Sequence, residues 1–320
     1  MFKKRLTALI LAFIFLLIFV GCSNTTSVQQ PLERVQTEQV DSVNTQQSNT
    51  NTTTLTPGVL IVSYIDVGQG DSILVETPSG KTMLIDAGIP EMGNKVVNYI
   101  KSRGISKIDI LVGTHPHNDH IGGIPDVIRN FKIGRFYMPK VTTTTKTFEE
   151  VLKTAKSEGI SINVTKAGVS LDLGNGITAK MLAPNSTHYD DLNNYSAVIK
   201  LTYGNTSFLF TGDASAKSEE EMLNKGYDLR AEVLKVGHHG SSSASTLEFL
   251  KAVRPKYAVI SCGRGNDYGH PHRETMKKLK TLGITVYRTD ECGTVIAVTD
   301  GKMISFNVSL GDYLPGNKVK

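Results

Sequence analysis

Cysteine is scarce in this sequence, and neither sign of charge dominates it. Three cysteines occur among 320 residues, with 35 basic and 30 acidic side chains and a formal net charge of +5. Lys3, Lys4 and Arg5 account for three of the basic residues, so the chain beyond them sits at about +2. Such a balance does not by itself argue for a polyanionic partner. No basic stripe is evident and aromatics make up 7%, whereas nucleic-acid affinity usually needs phosphate-pairing cations. Long apolar runs are lacking too. The run Ala8 to Val20 is thirteen residues, short for a membrane span and the right length for the apolar centre of a secretory signal.

Gly21-Cys22 follows that run. A cysteine placed there, after a small residue, resembles a bacterial lipoprotein signal, although Phe19 stands where the usual pattern has leucine. The resemblance implies that residues 1–22 are a signal ending in a lipidated Cys22. An uncleaved N-terminal anchor is the alternative. Either way the rest of the chain is expected outside the cytoplasm, at the outer face of the membrane. Residues 23–56, rich in Gln, Asn, Thr and Ser, have too little apolar surface to offset ordering entropy and read as a disordered tether. Residues 57–320 are long enough for one large α/β domain. Within it, Cys262 and Cys292 either form a disulfide or remain separate thiols.

Periodicity supports that class. Residues 59–88 read as three strands broken at Gly68-Gln69-Gly70 and Pro78-Ser79-Gly80. A helix is expected over Asn94 to Ser102, a buried strand over Ile108 to Val112, and helices over Ile121 to Asn130 and Phe148 to Ser157. Further on, Ile177 to Leu182 reads as a strand and residues 195–213 as a hairpin around Gly204-Asn205. A helix over Ala216 to Lys225 precedes strands at Glu232 to Val236, Tyr257 to Ser261, Ile284 to Arg288 and Val295 to Thr299, with helices between several of them. Each half thus has strands followed by alternating helices and strands, which predicts two sheets packed face to face with helices outside.

The densest chemistry lies in "THPHNDHIGG", residues 114–123. Three of only eight histidines, His115, His117 and His120, fall within six positions together with Asp119. Imidazole and carboxylate are common transition-metal donors, and an H-x-H-x-D-H loop after an apolar strand suits metal binding far better than packing. Other donors also end apparent strands: Asp86 in "TMLIDAG", Asp213 in "FLFTGD", and His238 and His239 in "EVLKVGHHGS". Strand ends along one rim of a sheet are where α/β proteins build sites.

The order LIDAG, THPHNDHIGG, FLFTGD and LKVGHHGS resembles the metallo-β-lactamase superfamily. The segments "IDVGQGDSILVETPSGKTMLIDAG", "NNYSAVIKL", "FTGDA", "LKVGHHGS" and "YGHPH" are similar to the soluble domain of ComEC-type DNA-internalisation competence proteins. This likeness covers roughly residues 58–308 and does not include the multi-span channel of those proteins. It implies a four-layer αββα sandwich and two divalent metal ions, zinc or manganese, with no organic cofactor. By resemblance, His115 and His117 bind the first ion, Asp119 and His120 the second with His238 favoured over His239, and Asp213 bridges both. Asp86 is expected to orient the ligand loop. Many superfamily members supply one more histidine to the first ion. Here Asn193, Asn194 and Ser196 occupy that stretch, which predicts a weaker first site tilted toward harder ions.

The expected reaction is hydrolysis by a water activated between the ions. Asp119, as a ligand, and His270 are the candidate catalytic residues. His270 or His272 would protonate a leaving group or contact phosphate; Ser241 would donate to phosphate or cap a helix. Three functions compete: a phosphodiesterase acting on extracellular DNA, an esterase directed at wall polymers (phosphocholine esters of teichoic acids, or lactones), and a lipid-anchored binding protein that keeps its metal without turnover.

Overall fold

The computed structural model describes residues 58–317. The expected signal, Cys22 and the expected tether lie outside the described residues. The order is β1 (Leu60–Tyr64), β2 (Ile73–Glu76), β3 (Thr82–Ile85), α1 (Gly93–Ser102), β4 (Lys107–Val112), α2 (Asn118–Ile121), α3 (Ile124–Asn130), β5 (Lys132–Met138), α4 (Lys146–Ser157) and β6 (Ile162–Val164). Then come β7 (Ser170–Leu171), β8 (Ile177–Ala183), β9 (Val198–Tyr203), β10 (Thr206–Phe210), α5 (Ala216–Asn224), β11 (Val233–Lys235) and α6 (Leu247–Val253). The chain closes with β12 (Tyr257–Ile260), α7 (Arg273–Thr281), β13 (Thr285–Arg288), α8 (Thr289–Cys292), β14 (Val295–Thr299) and β15 (Ile304–Phe306).

Strand alternation builds the layers. In β1, Leu60, Val62 and Tyr64 enter a core shared with Phe208 and Phe210 of β10, which lies between the sheets. The intervening residues face the other way: Leu84 and Leu111 pack with Val96 and Ile100 of α1, Val127 of α3 and Val151 of α4. Leu209 and Leu234 do the same with Met222 of α5, Phe249 of α6 and Met276 of α7. The result is helix, sheet, sheet, helix, as expected. No helix among the described residues is long and apolar enough to cross a membrane.

One sheet runs β15-β14-β1-β2-β3-β4-β5-β6 and the other β13-β12-β11-β10-β9-β8-β7. The sequence pattern placed Val295 to Thr299 with the second half. The structure corrects this: β14 pairs antiparallel with β1, Leu60 opposite Thr299, and so joins the first sheet. A local pattern carries no information about so distant a partner. The helix expected over Ile121 to Asn130 divides at Gly122-Gly123, with Pro125 in the first turn of α3. Strand β5 was not anticipated.

Beyond β15 the chain returns as a strap over the second half. Buried Arg288 holds it: the guanidinium donates to Asp290 on one side and to Asp312 and the Leu314 carbonyl on the other. The strap then reaches Pro271, whose carbonyl accepts from Gly316 N at 2.8 Å. Residue 316 must be glycine for this approach, because a Cβ there would lie 1.9 Å from the His270 carbonyl oxygen.

Candidate metal centre

Parallel pairing brings the C-terminal ends of β3 and β4, and of β10, β11 and β12, to a common rim. Asp86, the 114–120 loop, Asp213, His238 with His239, and the loop to His270 leave these five ends in turn. The loop 68–71 packs beneath: Asp71 N donates to the Asp119 carbonyl at 3.2 Å. Gly70 is required there, since a Cβ would stand 2.2 Å from that oxygen.

Ligand atoms of Asp119, His120, Asp213 and His239 all lie within 4.8 Å of one another. His120 Nε2 is 3.2 Å from Asp213 Oδ1 and 3.3 Å from His239 Nε2. His239 Nε2 is 3.3 Å from Asp119 Oδ2 and 3.4 Å from Asp213 Oδ2. His115 and His117 flank this group: His115 Nε2 lies 3.0 Å from His117 Nδ1 and 3.9 Å from Asp213 Oδ2.

The buried rings are oriented from behind. His120 Nδ1 donates to Asp86 Oδ2 at 2.7 Å, His239 Nδ1 to the Ser261 carbonyl at 2.9 Å, and His115 Nδ1 to Thr114 Oγ1 at 3.1 Å. Each ring therefore spends Nδ1 on an oxygen and turns Nε2 toward the group, the arrangement that fixes a metal-ligating imidazole. Asp86 is itself fixed by Thr114 N and Oγ1, both at 2.7 Å.

Charge in the cluster is one-sided. Burial lowers the proton affinity of His120, but Asp213, Asp86 and Asp119 outweigh it and raise His120 well above the ordinary imidazole value. His239 rises likewise: burial opposes the change, and Asp213 and Asp119 prevail. Burial raises the Asp213 carboxyl, yet His120 and His239 hold it well below the usual range. Four mutually close donors in a field that draws in positive charge, with Asp213 Oδ1 buried and lacking a hydrogen-bond partner, fit a divalent cation.

The structure revises several expectations. It places His239, rather than His238, in the group of four. Both residues adopt left-handed backbone, with φ of 50° and 53°, and this turn directs the second ring inward. His238 stays at the cavity side, Nε2 3.7 Å from Asp213 Oδ2 and Nδ1 3.1 Å from Ser243 Oγ. Asn194 does not face the cluster: its Oδ1 accepts from Ser215 Oγ at 2.7 Å and Ser218 N at 3.1 Å, tying down the start of α5. Ser196 Oγ accepts from Asp213 N at 3.1 Å and so supports the carboxylate. Ser241 and His272 brace loops instead of lining the cavity. Ser241 O accepts from Thr275 Oγ1, and His272 Nδ1 accepts from Ser242 N at 3.0 Å. Cys262 and Cys292 are free thiols.

Sequence reasoning missed Asp71 and Lys235. Lys235 is fully buried and pairs with Asp71 Oδ2 at 2.9 Å; Asp71 Oδ1 lies 3.5 Å from His239 Nδ1. A lysine inside the strand "EVLKV", ending at the His238-His239 turn, was the available signal.

A cavity of about 380 Å³ opens above the cluster, lined by Asp119, Asp213, His239 and His270, and by Gln69 and Tyr268 among others. His270 is buried and its proton affinity falls to about 3, through burial and the neighbouring His239 and His272. Gln69 Nε2 donates to its Nδ1 at 3.4 Å, which assigns the ring proton to Nε2.

Residues 65–264 match the family described as Metallo-beta-lactamase superfamily. ComE operon protein 3 of Bacillus subtilis (strain 168) is 34% identical over 251 residues, 73% of this chain and 32% of the relative. Competence protein ComA of Neisseria gonorrhoeae is 30% identical over 236 residues, 73% of this chain and 31% of the relative. The chain thus spans about a third of the length of these relatives. Among solved structures, a CmlA beta-hydroxylase E377D mutant shares the fold with a TM-score of 0.50 at 16% identity, over 72% of this chain and 52% of that one. With the sandwich, the rim of imidazoles and carboxylates and this match in hand, the chain belongs to the metallo-beta-lactamase superfamily, whose members are generally metal-dependent hydrolases.

Proposed function

We propose that this chain is a metal-dependent phosphodiesterase that cleaves DNA outside the cell, tethered to the outer face of the membrane through Cys22. The observation that carries the reading is the cluster of Asp119, His120, Asp213 and His239 at the floor of an open cavity. The likeness to a relative named as a competence protein, ComA of Neisseria gonorrhoeae, supports the substrate class. The anchoring is read from residues 1–22 of the sequence.

Asp119, His120, Asp213 and His239 would hold one ion; His115 and His117, with Asp213 between, would hold another. When bound, such ions supply the positive charge that activates water and polarises the phosphoryl oxygen. The protein's own residues do the rest. Asp86 and the Ser261 carbonyl fix the rings of His120 and His239, so the donor set is pre-oriented. His270, neutral with its proton on Nε2, acts as a hydrogen-bond donor to a phosphoryl oxygen and not as a strong acid. Cys262 is buried and its thiol pushed up by burial, so it does not serve as a nucleophile.

The test is a substrate panel with the full chain in Mn²⁺ or Zn²⁺: single- and double-stranded DNA, bis-p-nitrophenyl phosphate, p-nitrophenyl phosphocholine and nitrocefin. Cleavage of DNA and of the simple diester, abolished by chelation, is expected. Cleavage confined to the phosphocholine ester or to nitrocefin would discard the reading. So would no turnover by protein confirmed to carry two ions.

A further inference from the structure

The "YGHPH" loop places one side chain that the metal chemistry does not use. Tyr268 lines the cavity yet is 60% exposed. Among the described residues it is the only aromatic in the set of exposed large apolar side chains. One face of its ring lies against His270, centroids 5.5 Å apart and planes 16° apart; the exposure belongs to the remainder. The loop that carries it is well fixed. Asn266 bonds the carbonyl of His270 at 2.7 Å and its backbone N–H at 3.0 Å, and His272 Nε2 donates to the Tyr268 carbonyl at 3.2 Å. A rigidly mounted, half-covered aromatic ring at the mouth of a hydrolytic cavity offers a flat partner a stacking surface without an ordering cost.

We infer that Tyr268 is a stacking platform for a nucleobase next to the scissile phosphate, so that the site takes an unpaired strand of nucleic acid. The inference rests on the phosphodiesterase reading. Base–aromatic stacking tolerates any sequence and supplies affinity without a basic surface, which matches a chain whose charge is nearly balanced. A base paired in a duplex has both faces covered by its neighbours and cannot reach such a ring without leaving the stack. A quaternary ammonium would call for a cage of several aromatic rings. Here Tyr268 is joined at the cavity by hydrogen-bonding side chains, Gln69, Asn118 and Thr145, which suit base edges and phosphates.

The experiment uses the full chain loaded with Mn²⁺ and two ten-unit phosphodiester strands: an oligothymidylate, and its analogue with abasic tetrahydrofuran units throughout. The wild type should show a KM for the oligothymidylate about tenfold below that for the abasic strand. That ratio corresponds to about 1.4 kcal/mol. Tyr268→Ala should bring the two KM values within about twofold by weakening the based strand, and Tyr268→Phe should keep the gap. A gap that survives Tyr268→Ala, or no gap in the wild type, overturns the platform while leaving phosphodiester cleavage in place. Cleavage of neither strand overturns the phosphodiesterase reading and the platform with it. Cleavage of p-nitrophenyl phosphocholine that is lost in Tyr268→Ala, with neither strand cut, would assign the ring to a choline headgroup instead.

Discussion

Asp86 Oδ2 accepts a hydrogen bond from His120 Nδ1 at 2.7 Å, and both side chains are fully buried. The same carboxylate accepts from Thr114 N and Oγ1, so one residue after β3 sets both the path of the ligand loop and the direction of its central ring. Asp86→Asn presents an amide donor where donors already converge. We expect the variant to fold, with metal affinity reduced about 10–100-fold. Isothermal titration with Zn²⁺, beside a circular dichroism spectrum, checks this. A fully metallated but inactive protein would show that Asp86 takes part in the chemistry instead.

Asp213 lies within 4 Å of four imidazoles, those of His115, His120, His238 and His239. Replacing it by alanine removes the group proposed to join the two ions. Hydrolysis should fall by roughly a thousandfold or more, which is about 4 kcal/mol in the barrier. Near-wild-type rates on bis-p-nitrophenyl phosphate would refute the bridging role.

The two adjacent histidines should separate cleanly. His239→Ala is expected to lower metal content from about two ions per chain to about one, because Nε2 of this ring sits inside the cluster. His238→Ala, whose ring stands at the cavity side, should keep about two. Elemental analysis of the purified variants decides, and the reverse pattern would return the ligand role to His238.

Lys235 and Asp71 form an ion pair with both side chains buried, directly behind His239. Lys235→Met leaves Asp71 buried without its lysine and should destabilise the fold by about 3–5 kcal/mol. The double change Lys235→Met with Asp71→Asn should recover most of that loss. Denaturant unfolding of the three proteins checks it, and a single variant as stable as the double would show the pair contributes little.

Much of this architecture was legible in the chain. The alternation in "VLIVSY" and "SFLF" marked strands whose inner residues do meet between the sheets. The H-x-H-x-D-H loop announced its chemistry because so many donors fall within one turn. What the sequence withheld was of two kinds. Pairing between β1 and β14 depends on topology, since residues more than 200 positions apart carry no shared local signal. The choice between His238 and His239 depends on two left-handed backbone residues, which neither composition nor spacing announces for non-glycine side chains. Asn194 shows a related limit: an asparagine in the stretch where many relatives carry a histidine holds a helix start, a role that only its hydrogen-bond donors, Ser215 and Ser218, reveal.

The Arg288-pinned strap has a practical corollary. Gly316 is hydrogen-bonded to the peptide next to His270, so a bulky handle or surface attachment fused just after it would tug on the mouth of the cavity. Immobilised this way, the protein should turn over more slowly than when it is held by its other end, and comparing the two orientations on a sensor chip would expose the mechanical link.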